Sequence, residues 1–165
     1  MMTVRFVAPR VGNEDVFSRF GPSGIPVTVR NFLRPAIVGQ TKRVGAQVDA
    51  NLNAGLKSRR RLRVHTEMVE NARELIGRVS VVTTAPPMML PMWLESGTKA
   101  HKIEARNAKA LFFFWDKFGK NVSFKSVMHP GFAGVHYMEN AFEAMKGDIK
   151  STIRKAVSDG LGTRK

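Results

Sequence analysis

His129 and His136 lie seven residues apart across a Pro-Gly turn, and with Glu139 they are the nearest approach to a metal site in this sequence. None of the common zinc spacings is met, and the absence of cysteine removes thiolate ligands, disulfides and a thiol nucleophile. The tripeptide His129-Pro130-Gly131 has a plainer reading, in which the imidazole hydrogen-bonds nearby backbone while proline and glycine set the turn. Glu67, Glu70 and Glu74 would share one face if their stretch were helical, and clustered carboxylates are what a Mg²⁺-dependent nuclease needs. A solvated acidic face explains them as well. No phosphate-cradling glycine loop, HExxH or GxSxG motif occurs. The expectation is a non-enzymatic protein without catalytic, cofactor-binding or metal-ligating residues.

Binding is better provided for than catalysis. Lys57, Arg59, Arg60, Arg61 and Arg63 place five cations within seven positions, the density that phosphate neutralisation needs. No aromatics are interleaved with them, which argues against stacking on single strands, and no recognition-helix pattern surrounds them. The cluster can face DNA or an acidic neighbouring subunit, and both readings stand. Phe112, Phe113, Phe114 and Trp115 could be mistaken for a ligand box, but a core strand is the safer expectation for four consecutive aromatics.

The elements that must carry these residues can be read from periodicity and punctuation. Residues 1–30 read as an extended N-terminal arm, with a short strand at Thr3 to Val7 followed by Gly12, Gly21, Pro22, Gly24 and Pro26. Val27 to Arg30 reads as a second extended piece. The first helix is expected from Pro35 to about Lys57, with Val44, Val48, Leu52 and Leu56 on one face. Leu62, Val64, Thr66 and Met68 alternate as in a strand, and Val79 to Thr84 reads as its partner. An uninterrupted helix through Arg59 to Ile76 is the competing reading. Met88 to Leu94 suits one or two helical turns before Glu95-Ser96-Gly97-Thr98. Ala110 to Trp115 reads as a central strand buried on both faces, Lys117 to Asn121 as a turn, and Val122 to Val127 as the returning strand. The clearest element is a helix over 138–157, in which Met138, Ala141, Phe142, Met145, Ile149, Ile153 and Ala156 keep a 3.6-residue period. Glu139 and Glu143 near its start, and Lys150, Arg154 and Lys155 near its end, match the helix dipole.

The fold class is therefore α+β: a small mixed or antiparallel sheet packed by a long helix in the N-terminal half and an amphipathic C-terminal helix. One domain over 31–165 follows the arm. The 165 residues, 43% hydrophobic and 24% charged, suffice for one core. No apolar run is long enough for a signal peptide or a membrane span, so a soluble protein is expected. Lys and Arg outnumber Asp and Glu by 27 to 13, and a net charge of +14 attracts polyanions. A nucleic-acid-binding module is thus one reading of the whole chain.

The other reading comes from an ordered set of short motifs: Trp93, then Glu95, Gly97 and Thr98, then Ala110, Leu111 and Phe113, then His129, Pro130 and Gly131, then Tyr137, Ala141 and Phe142. In this order, over residues 93–145, the chain resembles the gene-product-ten-like tail-component family of lambdoid siphophages. The resemblance implies a small α+β subunit of the neck or tail-completion ring, with no enzyme activity and no cofactor. The partners it implies are further copies of the chain in a ring, six-fold being one such arrangement, the head–tail connector, and tail terminator or tail-tube proteins. Genomic DNA would pass through the lumen. It implies a place in the virion, reached from the host cytoplasm during assembly, and leaves neck, tail completion and tail terminator open as the ring's position.

Overall fold

The computed structural model describes residues 25–56, 62–70, 74–85 and 87–162, together with the backbone of Met2–Phe6. It is an α+β fold in which two long helices cover a three-stranded antiparallel sheet and a separate two-stranded ribbon extends from one end. Helix α1 spans Val27–Gly55 and helix α3 spans Tyr137–Gly160, with the short helix α2, Leu90–Ser96, between them in sequence.

Helix α1 starts eight residues before Pro35, so Val27 to Arg30 is its first turn and not an extended piece. The cause is the apolar stripe: Val29, Leu33 and Ile37 precede Val44, Val48 and Leu52 on the same face, and all six are buried. Their burial outweighs the loss at Pro35, whose missing N–H leaves one carbonyl of the preceding turn without its helical partner. Pro35 lies on the exposed side, where water can reach that carbonyl. Helix α3 matches its expected span and stripe, and ends at Gly160.

The two helices run antiparallel. Val44, Val48 and Leu52 share one core cluster with Tyr137, Met138 and Ala141, whereas Val29, Leu33 and Ile37 share the other with Ile153, Ala156 and Val157. They approach so closely at the far end that a Cβ on Gly160 would stand 2.7 Å from Val29 Cα. Between the clusters, the buried Gln40 donates to Thr152 Oγ1 at 2.7 Å and to Asp148 Oδ2 at 3.3 Å, which fixes the helices' relative register.

The sheet has the order β1-β3-β2, where β1 is Met2–Phe6, β2 is Leu62–Glu70 and β3 is Leu75–Thr83. A hairpin thus replaces the competing helix through Arg59 to Ile76, and its second strand begins four residues before the expected Val79. Val79 and Val81 from central β3 and Leu62 from β2 complete the core beneath α1. On β2, Glu67 meets Arg78 across the ladder at 2.6 Å, while Arg30 and Arg34 of α1 converge on Glu70. The hydrogen bond from Arg34, helped by Arg30, holds the Glu70 carboxyl below the usual carboxylate range. Glu67 and Glu70 therefore sit on a strand, each paired with arginine, and Glu74 directly precedes β3, so the three share no helical face.

The four remaining strands form the ribbon. β4 (His101–Glu104) pairs with β7 (Ser126–His129), and β5 (Leu111–Trp115) pairs with β6 (Lys120–Phe124) around a single 3₁₀ turn at Asp116–Phe118. Residues 105–110 bulge on one side against Lys125 alone on the other. No residue of the ribbon belongs to either core cluster. The Ala110 to Trp115 stretch is consequently not the central core strand its composition suggests. No helix among the described residues is long and apolar enough to cross a membrane.

Leu52 is fully buried where α1, the sheet and α3 meet. Leu52→Ala is expected to lower unfolding stability by about 2–5 kcal/mol, through lost burial and the cavity it leaves. Urea denaturation followed by circular dichroism checks this, and a loss below about 0.5 kcal/mol would contradict the packing described, since only surface changes are that mild.

Candidate functional site

Glu95, Gly97, Thr98, His129, Pro130, Gly131 and Tyr137 of the ordered motif set gather at the root of the ribbon, whereas Leu111 and Phe113 lie farther out on β5. Glu95, the penultimate residue of α2, is buried and aims its carboxylate at the N-terminus of α3, where Oε2 accepts from Met138 N and Oε1 from Glu139 N, both at 2.9 Å. No ion pair balances it among the described residues. The compensating positive charge is the end of the helix dipole, with its otherwise unused N–H groups. Thr98 and Phe132 exchange backbone hydrogen bonds of 2.9 and 3.0 Å, and Val135 N donates to Leu94 O at 2.7 Å. The segment after α2 is thereby stitched to the segment before α3.

Two motif glycines make this approach feasible. Gly97 has φ +75° and a Cβ there would lie 2.4 Å from Phe132 O; Gly131 has φ +78° and its Cβ would lie 2.3 Å from Thr98 O. Both the left-handed backbone and the missing side chain are required. His129 behaves as the turn reading anticipates, its Nδ1 accepting from Gly131 N at 3.0 Å. Pro130 is exposed between them. Tyr137 is fully buried and its hydroxyl donates to Pro91 O at 2.8 Å, tying α3 back to α2. Burial, and then the nearby Glu95 charge, push the phenol well above its ordinary value of 10. Phe142 is half-buried on α3. These residues form a latch that fixes the ribbon to the core.

His136 caps α3 from the left-handed region, φ 51°, and its Nδ1 lies 3.0 Å from Glu139 Oε2. His129 instead faces His101 across β4 and β7, with ring centroids 5.0 Å apart. His129, His136 and Glu139 therefore do not converge, and no metal-holding group of three occurs among the described residues.

Two surfaces remain as candidates. The first is the ribbon itself. On one face Phe113, Trp115 and Phe124 cluster with ring separations of 5.8–6.4 Å. On the other, Phe112 and Phe114 stand 74% and 58% exposed, opposite only Ser123 and Asn121. The second is a cleft of about 870 Å³ beside the latch, whose lining includes Trp93, Lys99, Lys102, Arg106 and Phe132. Glu104 is its one acid, and the hydrogen bond from Lys102 at 2.6 Å keeps that carboxyl below the usual range. The sequence reading missed this cleft, because Phe132 and His129 join Trp93 and the cations of 99–106 only through the antiparallel return of the ribbon.

Of the basic cluster, Lys57, Arg59, Arg60 and Arg61 lie outside the described residues. Arg63 is exposed on β2. Comparison with protein families, with curated proteins and with solved structures finds no match.

Glu95→Ala leaves one buried and one half-buried N–H without an acceptor and is expected to cost about 3 kcal/mol of stability. Glu95→Gln, which keeps an acceptor oxygen, should cost less. Equal stability of Glu95→Ala and the parent in chemical denaturation would refute the latch. Tyr137 is the chain's only tyrosine, so its titration can be read by absorbance. Because folding raises its pKa, its contribution to stability is complete below about pH 10 and declines as pH climbs toward the folded value. Phenolate absorbance should be missing from the native protein at about pH 11 and appear at once in denaturant.

Proposed function

We propose that this chain is a structural subunit of the head–tail interface of a long-tailed phage, working as one copy in a neck or tail-completion ring. The observation that carries the reading is the ribbon. Large aromatics exposed on both faces of a two-stranded element contribute nothing to the chain's own core, and an isolated ribbon of this kind is marginal in water. Such a surface is expected to be covered in the working state. The ordered motifs add the phage context, since several of the residues that resemble the tail-component family, Glu95, Gly97, Thr98, Gly131 and Tyr137, anchor the ribbon to the helices.

A ring closed by rotation needs two different faces on each subunit. The ribbon supplies one, reaching from the rim of one copy to the body of the next, the connector or the tail. Its cations, seven against two acids between residues 98 and 132, sit at the margins of that apolar surface and favour acidic neighbours. Subunits of net charge +14 arranged around an axis would also present a field attractive to DNA passing along it.

Light scattering coupled to size-exclusion chromatography tests the proposal. The parent protein should form a ring-sized oligomer, or join purified tails or connectors. Phe112→Ser/Phe114→Ser should abolish both while leaving thermal unfolding of the lone subunit within about 2–4 °C, as for a surface change. A parent that stays monomeric at high concentration and binds neither tails nor connectors would end this reading.

A further inference from the structure

The cleft at the root of the ribbon has a chemistry that subunit contacts do not require. Lys99 and Arg106 line it; neither makes a direct ion pair among the described residues, although the Arg106 charge also acts on Glu104. Lys102 neutralises Glu104, the sole acid in the lining, so the cleft keeps an excess of positive charge. Trp93 and Phe132 line the same space, each a large ring left 38% and 40% exposed. His129 also belongs to the lining, its Nδ1 already accepting from Gly131 N.

Cations beside exposed aromatic rings suit a planar base attached to a phosphate. We propose that this cleft binds single-stranded nucleic acid, with Lys99 and Arg106 meeting phosphate and Trp93 and Phe132 supplying stacking surface for an unpaired base. A duplex satisfies only the cations, because its bases have no free face. A free nucleotide would fill the cleft but leave unused the exposed Lys109, Lys117, Lys120 and Lys125, which continue the positive charge along the ribbon. A strand uses both. The inference does not rest on ring assembly, and it places strand binding away from the Lys57 to Arg63 cluster.

The two tryptophans of the chain are Trp93 and Trp115, so Trp115→Phe leaves Trp93 as a reporter inside the cleft. Titrating the full-length Trp115→Phe protein with an oligothymidylate should quench this fluorescence saturably. Adding Lys99→Gln/Arg106→Gln should weaken binding at least roughly tenfold and flatten the salt dependence of log affinity by about 1.4, the share of two single-strand phosphate contacts. Phe132→Ala should weaken binding about tenfold by removing one stacking surface, with unchanged circular dichroism excluding misfolding. Unchanged Trp93 fluorescence at saturation, or undiminished affinity in Lys99→Gln/Arg106→Gln, overturns the proposal. So does equal quenching by a duplex of the same length, or equal affinity for thymidine monophosphate. Light scattering on the same samples keeps a failed ring distinguishable from a failed strand site, since the fluorescence change reads binding in any oligomeric state.

Discussion

Glu95 occupies a position that proteins seldom give to a carboxylate, buried and without a counter-ion among the described residues. It is tolerable there because two backbone N–H groups at the start of α3 need an acceptor, and the helix supplies the opposing partial charge. The interaction ties together the end of α2, the beginning of α3 and both ends of the ribbon inserted between them. Tyr137, one residue into α3, returns a hydrogen bond to the start of α2 and buries its ring against the main core. The position of the ribbon relative to the helices therefore depends on one buried charge and its hydrogen-bonded surroundings, not on apolar packing of the ribbon.

This arrangement separates two kinds of stability in the molecule. The helices and sheet are held by two apolar clusters, one around Val29 and Val157 and the other around Leu52 and Tyr137, with Ile149 packed against both. The ribbon is held by backbone ladders, cross-strand aromatic pairs and the latch. Elements with few buried apolar contacts open more readily than the core they are attached to, and binding surfaces are commonly drawn from them. Both the proposed assembly surface and the proposed strand-binding cleft belong to this second part.

Much of the architecture was legible in the sequence, and the misreadings have specific causes. The C-terminal helix could be read because its apolar period and end charges agree. Helix α1 was placed too late, since Pro35 and the neighbouring glycines looked like a boundary while the period carried by Val29, Leu33 and Ile37 continued through them. The aromatic run of β5 was assigned to the core because composition reports that a segment needs covering and not what covers it; here Phe112 and Phe114 stand exposed among the described residues. The His129 turn could be anticipated because its chemistry is local. The Glu95 cap could not, as its partner Met138 lies 43 residues away, and the cleft could not, as Phe132 and His129 join Trp93 and the cations near it in sequence only through the antiparallel return of the ribbon.

The unequal middle of the ribbon also bears on how this chain can vary. Six residues, 105–110, face a single Lys125 between the two ladders, so the inner and outer halves pair in different registers. An insertion or deletion confined to that stretch shifts neither ladder, neither core cluster nor the latch. It does change the direction in which Phe112 and Phe114 point. The waist is thus a joint at which the reach and aim of the tip can be reset by evolution or by an engineer, while the body that carries it stays the same.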